Sequence, residues 1–126
     1  MNAVDRMMLS LDGLSVGDAF GETFFTDADT VRQRILYRQV APPSWLYTDD
    51  TEMALSIVDL LRQDGTVDPD KLADSFASRY SPNRGYGGGA SRLLTALQIG
   101  GDWRREAPNM FGGEGSYGNG AAMRIA

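Results

Sequence analysis

The sequence contains no cysteine and no histidine. Without cysteine there is no disulfide, no thiolate metal site and no thiol nucleophile. Without histidine there is no Ser-His-Asp triad, no imidazole acid or base and no His-ligated zinc. Polar catalysis in this chain must run on carboxylates, hydroxyls, arginine, backbone amides or a metal bound through oxygen. Lysine is nearly absent: Lys71 is the single one among 12 basic residues, a skew we read as genomic coding bias. Against them stand 17 acidic residues, for a net charge of −5 and a pI near 4.5. A nucleic-acid binder carries a basic footprint, so no nucleic-acid partner is expected. Long hydrophobic runs are missing too. Asp5, Arg6, Asp12 and Asp18 interrupt the opening segment, so it offers neither the apolar stretch of a signal peptide nor a membrane span. The expected address is the cytoplasm.

What is present is an ordinary globular balance, 42% hydrophobic and 23% charged over 126 residues, enough for a single domain spanning 1–126. The periodicity is helical and no strand is expected. Val4, Met7, Met8 and Leu11 share one face of a first helix. Gly13, Gly17 and Gly21 follow at a spacing of four; if the helix continues through them, they form a groove for close backbone approach. Residues 26–46 read as irregular, with a short helix around Ile35 and a stop at Pro42-Pro43. A strong helix is predicted from Asp50 to Gln63, its inward face Met53, Ala54, Ile57, Val58 and Leu61, widened by Leu55 and Leu60. Asp68-Pro69 opens the next helix as cap and first position. A glycine-rich loop over Arg84–Gly89 precedes a helix from Ala90 to Ile99. Residues 102–112 read as irregular. A second glycine-rich loop, 112–120, leads into an apolar helix that opens at Ala121 and has no stop signal before Ala126. That ending creates the expectation of a truncated chain, or one half of something larger.

Three constellations carry chemistry. The run Thr48-Asp49-Asp50-Thr51 stands at the start of the buried helix. One or two carboxylates there serve as a helix cap. Two adjacent acids repel, however, and hydroxyl and carboxylate oxygens are hard ligands for Mg²⁺, Mn²⁺ or Ca²⁺. On spacing alone the cap has the better claim. The second run, Gly113 to Gly120, contains a literal G-x-G-x-x-G, but no strand precedes it as a dinucleotide fingerprint requires. Its amides could cradle a phosphate, or the run could be a plain connector. The third, Arg84 to Gly89, is open in the same way.

Taken in order, these pieces resemble the ADP-ribosylglycohydrolases, the dinitrogenase-reductase-activating glycohydrolase type that includes J1 crystallins. The resemblance rests on Gly17-Asp18-Ala19-Phe20-Gly21, Thr48-Asp49-Asp50-Thr51, Arg84-Gly85-Tyr86-Gly87-Gly88-Gly89 and Gly115-Ser116-Tyr117-Gly118-Asn119-Gly120-Ala121-Ala122-Met123-Arg124. It reverses the preference for a plain cap. It implies an all-α, compact orthogonal bundle and a binuclear Mg²⁺ or Mn²⁺ centre, with Thr48, Asp49 and Asp50 as metal ligands. It implies that Gly115, Ser116, Tyr117, Gly118 and Asn119 wrap the diphosphate and proximal ribose. Gly85, Gly87, Gly88 and Gly89 then face the distal ribose. Asp49, Asp50 and Glu22 are the catalytic candidates. Some members carry a glutamate a few residues beyond the Gly-Asp-Ala motif, whereas here Glu22 follows Gly21 directly and Phe25 stands four further on.

The implied reaction is hydrolysis at the anomeric carbon, releasing ADP-ribose from a protein side chain or a small ADP-ribosylated molecule. The family normally completes its metal site with an Asp-x-Asp-Thr run in a carboxy-terminal segment, and nothing after Ala126 supplies it. The expectation is therefore the amino-terminal portion of such a domain, with its carboxy-terminal helices missing. The isolated chain should be weakly active or inactive, with apolar surface on the Met53–Leu61 and Ala121–Ile125 helices that a complementary chain or a homo-oligomer would cover. The alternatives are a non-catalytic ADP-ribose or nucleotide binder and a structural, crystallin-like protein.

Overall fold

A computed structural model describes residues 1–125; Ala126, the end of the expected last helix, lies outside the described residues. The architecture is all-helical, and no strand occurs among the described residues. Helix α1 (Ala3–Glu22) opens on a reciprocal cap: Asn2 accepts from the Asp5 amide at 2.8 Å, and the Asp5 carboxylate accepts from the Asn2 amide at 3.1 Å. It runs straight through the three glycines. The groove expected there is not a site of close backbone packing, because a β-carbon at Gly13, Gly17 or Gly21 would meet nothing within 4 Å. Gly17 and Gly21 border an open cleft, not a neighbouring helix.

Helix α2 (Ala28–Tyr37) occupies much of the stretch read as irregular. Asp27 caps it, accepting from the Thr30 amide and hydroxyl at 2.8 and 2.7 Å, and Arg38 ends it in the left-handed region. It buries none of its residues, which is why apolar periodicity revealed so little of it. Helix α3 (Asp49–Asp64) is central, packed between α1 and α4 (Pro69–Arg79), and α4 in turn packs on α5 (Gly88–Gln98). Gly65, at φ 72°, closes α3. Asp68 caps α4 as expected, accepting from the Asp70 and Lys71 amides. A 3₁₀ turn at Pro82–Arg84 precedes α5. Helix α5 starts two residues earlier than predicted, taking Gly88 and Gly89 out of the loop. A one-turn helix α6 (Trp103–Glu106) and a 3₁₀ turn at Met110–Gly113 replace the irregular stretch. The last segment forms a 3₁₀ turn, Ala122–Arg124, where an apolar α-helix was expected.

The core is built on Leu11, Ala54 and Val58, with Met7, Met8, Leu14 and Leu55 packed around them. Helix α3 buries more of its circumference than one stripe, because neighbours lie on two sides. Ser56 and Leu60 are buried while Leu61, predicted to face inward, is exposed. Ile57 and Leu61 instead border a groove of about 300 Å³ shared with α1, Arg124 and Ile125. Ile125 is exposed as expected, but Met53 is not; α1 (Leu9, Val16) and α2 (Ile35, Leu36) also expose apolar side chains, as do Phe25, Leu46 and Ile99 outside those helices. Among the described residues no helix is long and apolar enough to cross a membrane.

Candidate active site

Four separate stretches of chain meet at one cleft of about 570 Å³. The end of α1 supplies Asp18 and Glu22, the start of α3 supplies Thr48, Asp49 and Asp50, the first glycine-rich loop supplies Gly85, and the second supplies Asn119. Phe25, 86% exposed, stands at its mouth. Helix α3 begins here because Thr48, extended at φ −109° and ψ −162°, takes the cap position, its hydroxyl accepting from the Asp50 amide at 3.4 Å. Asp49 and Asp50 therefore fall in the first helical turn, and neither is the cap.

Four carboxylates and no basic side chain line the cleft. Burial raises the Asp49 pKa; hydrogen bonding with Thr48 and nearby amides only partly offsets this, and Asp18 adds to the rise. Burial also raises Asp50, reinforced by the charges of Asp18 and Asp49. Neither acid forms an ion pair among the described residues. A pair of this kind takes up protons or a cation readily. Thr48, Asp49 and Asp50 offer hard oxygens of the type that Mg²⁺ and Mn²⁺ prefer. Their number is small, since each such ion takes about six ligands. Among the described residues no group of three or more acidic side chains is placed to hold a metal alone.

A second groove of about 340 Å³ adjoins the cleft and shares Asp49 and Asn119 with it. Gly87, Gly89, Ser116, Gly118 and Gly120 border it, with Phe111 and Arg124. The Ser116 hydroxyl accepts from the Gly118 amide at 3.0 Å, tightening the loop. A β-carbon at Gly89 would stand 2.5 Å from Cζ of Phe111, so a larger residue there would have to displace that ring. Of the predicted substrate-contacting residues, Gly88, Gly115 and Tyr117 border neither cavity, and the Tyr117 side chain is fully exposed.

Sequence reasoning missed the residues that hold the two cavities in shape. Asp18 accepts from both the amide and the hydroxyl of Thr48 (2.8 and 2.6 Å) and of Thr51 (3.2 and 2.6 Å). Glu52, 4% exposed, accepts from the Ser81 amide at 2.7 Å and the Tyr86 hydroxyl at 3.0 Å, and faces Arg84 at 3.6 Å. Arg84 also donates to the Tyr47 carbonyl and lies 3.7 Å from the centre of the Tyr47 ring. Burial and then the Glu52 hydrogen bond raise the Tyr86 pKa, so the phenol stays protonated. Arg124 reaches Met53 Sδ at 3.1 Å and lies over the Phe76 ring; burial lowers its pKa, opposed by Tyr86 and Asp49. The available signal was an acid on an apolar helical face, one turn past Asp49 for Glu52 and among glycines for Asp18. A buried acid demands partners.

The chain is similar to known proteins along nearly its whole length. The family model for ADP-ribosylglycohydrolase matches residues 1–126. ADP-ribosylhydrolase ARH3 of Danio rerio is 37% identical over 96% of this chain, and the human protein of that name 35% over 98%. The ADP-ribosyl-(dinitrogen reductase) glycohydrolase of Rhodospirillum rubrum is 33% identical over 95%. The chain spans 36%, 39% and 42% of the length of these three relatives, respectively. By the match along its whole length and the identity to these relatives, the chain belongs to the ADP-ribosylglycohydrolase family.

Proposed function

We propose that this chain takes part in hydrolysing the glycosidic bond between ADP-ribose and an acceptor, with an ADP-ribosylated protein side chain or a small ADP-ribose derivative as substrate. The observation that carries this reading is the cleft that gathers Glu22, Thr48, Asp49, Asp50, Gly85 and Asn119 from four stretches of chain. Cleavage at an anomeric carbon passes through an oxocarbenium-like state that carries positive charge. A cleft lined by four carboxylates favours that charge over the neutral ground state. The same carboxylates repel a diphosphate, so the anion belongs in the adjoining groove, which is lined by the Gly118–Gly120 stretch of the loop and by Arg124.

Asp49, Asp50 and Glu22 are the candidates to take the proton of an attacking water or return one to the leaving group. Thr48, Asp49 and Asp50 are the residues that would hold Mg²⁺ or Mn²⁺, and their oxygens fit such an ion in chemical type. When bound, the metal would supply positive charge to fix ribose hydroxyls and polarise water. The donors of this chain are too few for a binuclear centre, so its turnover without further ligands should be slow.

Calorimetry with ADP-ribose and Mn²⁺ tests the reading, alongside release of ADP-ribose from a modified peptide at enzyme excess. Binding should require Mn²⁺ and be lost with chelator or in Asp49→Ala. Binding indifferent to both changes would instead support a non-catalytic nucleotide-binding protein.

A further inference from the structure

The carboxylate of Asp18 is fully engaged. Its Oδ1 accepts from the Thr48 hydroxyl, and its Oδ2 from the Thr48 amide and from the amide and hydroxyl of Thr51. Two carboxylate oxygens offer about four acceptor sites, so little is left over for a ligand. Asp18 thus differs from Asp49, whose hydrogen bonding with Thr48 and nearby amides does not outweigh its burial, and from Asp50, which lies in the same cleft without such ties. An ionised carboxylate accepts only, so both threonine hydroxyls must point their hydrogens at α1. Thr48 has then used its single donor. Its oxygen keeps two lone pairs, one of them turned only loosely to the Asp50 amide at 3.4 Å.

We propose that Asp18 is a positioning residue: it holds the Thr48 hydroxyl with its hydrogen toward α1 and its lone-pair side toward the cleft, presenting that oxygen, beside Asp49 and Asp50, to a divalent cation. A free threonine hydroxyl rotates and can turn its hydrogen toward the ion. One tied to a carboxylate at 2.6 Å cannot do so without breaking a charge-assisted bond. The two bonds to Thr51, 3% exposed, serve a second purpose, fastening the end of α1 to the first turn of α3. This inference rests on the metal-dependent reading above, and its test separates the two.

Binding of Mn²⁺ to the full 126-residue chain is measured from the electron paramagnetic resonance signal of the free ion. The comparison covers wild type, Asp18→Asn, Thr48→Val and the double variant. Positioning through Thr48 predicts that each single change weakens binding tenfold or more and that the double variant is no worse than the weaker single. A wild-type chain with no saturable Mn²⁺ site overturns the metal-dependent reading and this inference with it. Saturable wild-type binding together with Asp18→Asn binding within twofold overturns only the inference. So does a double variant whose loss is the product of the singles, because Asp18 would then act by charge alone. If Asp18→Asn does not fold, wild type decides by nuclear magnetic resonance. The Thr48 hydroxyl proton should remain protected from water exchange when Mg²⁺ is added, and a hydroxyl that begins to exchange freely refutes the proposal.

Discussion

Replacing Glu52 by alanine should be among the most damaging single changes in this chain. The side chain is nearly inaccessible and satisfies three donors at once, the Ser81 amide, the Tyr86 hydroxyl and Arg84. Truncation leaves the first two without their acceptor in a half-buried setting, at about 1–3 kcal/mol for each group that stays unpaired. Arg84 loses less, because it keeps the Tyr47 carbonyl and ring and is partly exposed. The cavity left by four missing heavy atoms adds to the cost. The two stranded donors alone sum to about 2–6 kcal/mol, against a total stability of about 5–15 kcal/mol for a typical domain. For a chain of 126 residues each kcal/mol moves the midpoint by about 4 °C, so Tm should fall by roughly 8–24 °C. Glu52→Gln isolates the charge. The amide oxygen still accepts from Ser81 and Tyr86, and only the 3.6 Å pairing with Arg84 is lost, so about 1 kcal/mol is expected. Urea unfolding followed by circular dichroism at 222 nm measures both. An alanine variant within 1 kcal/mol of wild type, or a glutamine variant as damaged as alanine, would refute the claim that Glu52 is an obligatory acceptor.

The acids of the cleft set the sign of a pH effect. Burial raises Asp49 and Asp50 above the ordinary aspartate value of 3.8, so the folded chain binds protons at a pH where the unfolded chain has released them. Stability should therefore rise as pH falls from neutral through the raised values, and the gain should be complete below 3.8. Asp50→Asn should be more stable than wild type at pH 7 and should flatten this part of the curve; a thermal-melt series across pH 3.5–7.5, an interval of about 4 units, checks it. Gly85, at φ 82°, has open space where a β-carbon would go, so Gly85→Ala costs only the left-handed backbone, about 1–2 kcal/mol. Because Gly85 borders the cleft, calorimetric affinity for ADP-ribose should drop with it, and unchanged affinity would remove that loop from the binding surface.

Much of the site was legible as composition and local pattern. With no imidazole or thiol, the chemistry had to fall on oxygen, and the Thr-Asp-Asp-Thr run ahead of an apolar helix stood out as a place where two acids are tolerated together. The start of that helix, the Asp68-Pro69 cap and the two glycine-rich loops could be placed because each is encoded within a few consecutive residues. Helix α2 and the 3₁₀ turns were less legible, since neither buries a periodic face.

What the sequence alone determined, then, was which groups could do the chemistry and where along the chain α3 and α4 begin. Tertiary structure decided how those groups are oriented. Asp18 meets Thr48 and Thr51 across 30 and 33 residues, and Glu52 meets Ser81 and Tyr86 across 29 and 34. Hydrophobic periodicity reports only the inward face of one segment, whereas the partner of a buried carboxylate depends on how two helices and a loop pack together. The same packing set the limits of the core, turning Leu61 outward and Ser56 inward once α3 had neighbours on two sides.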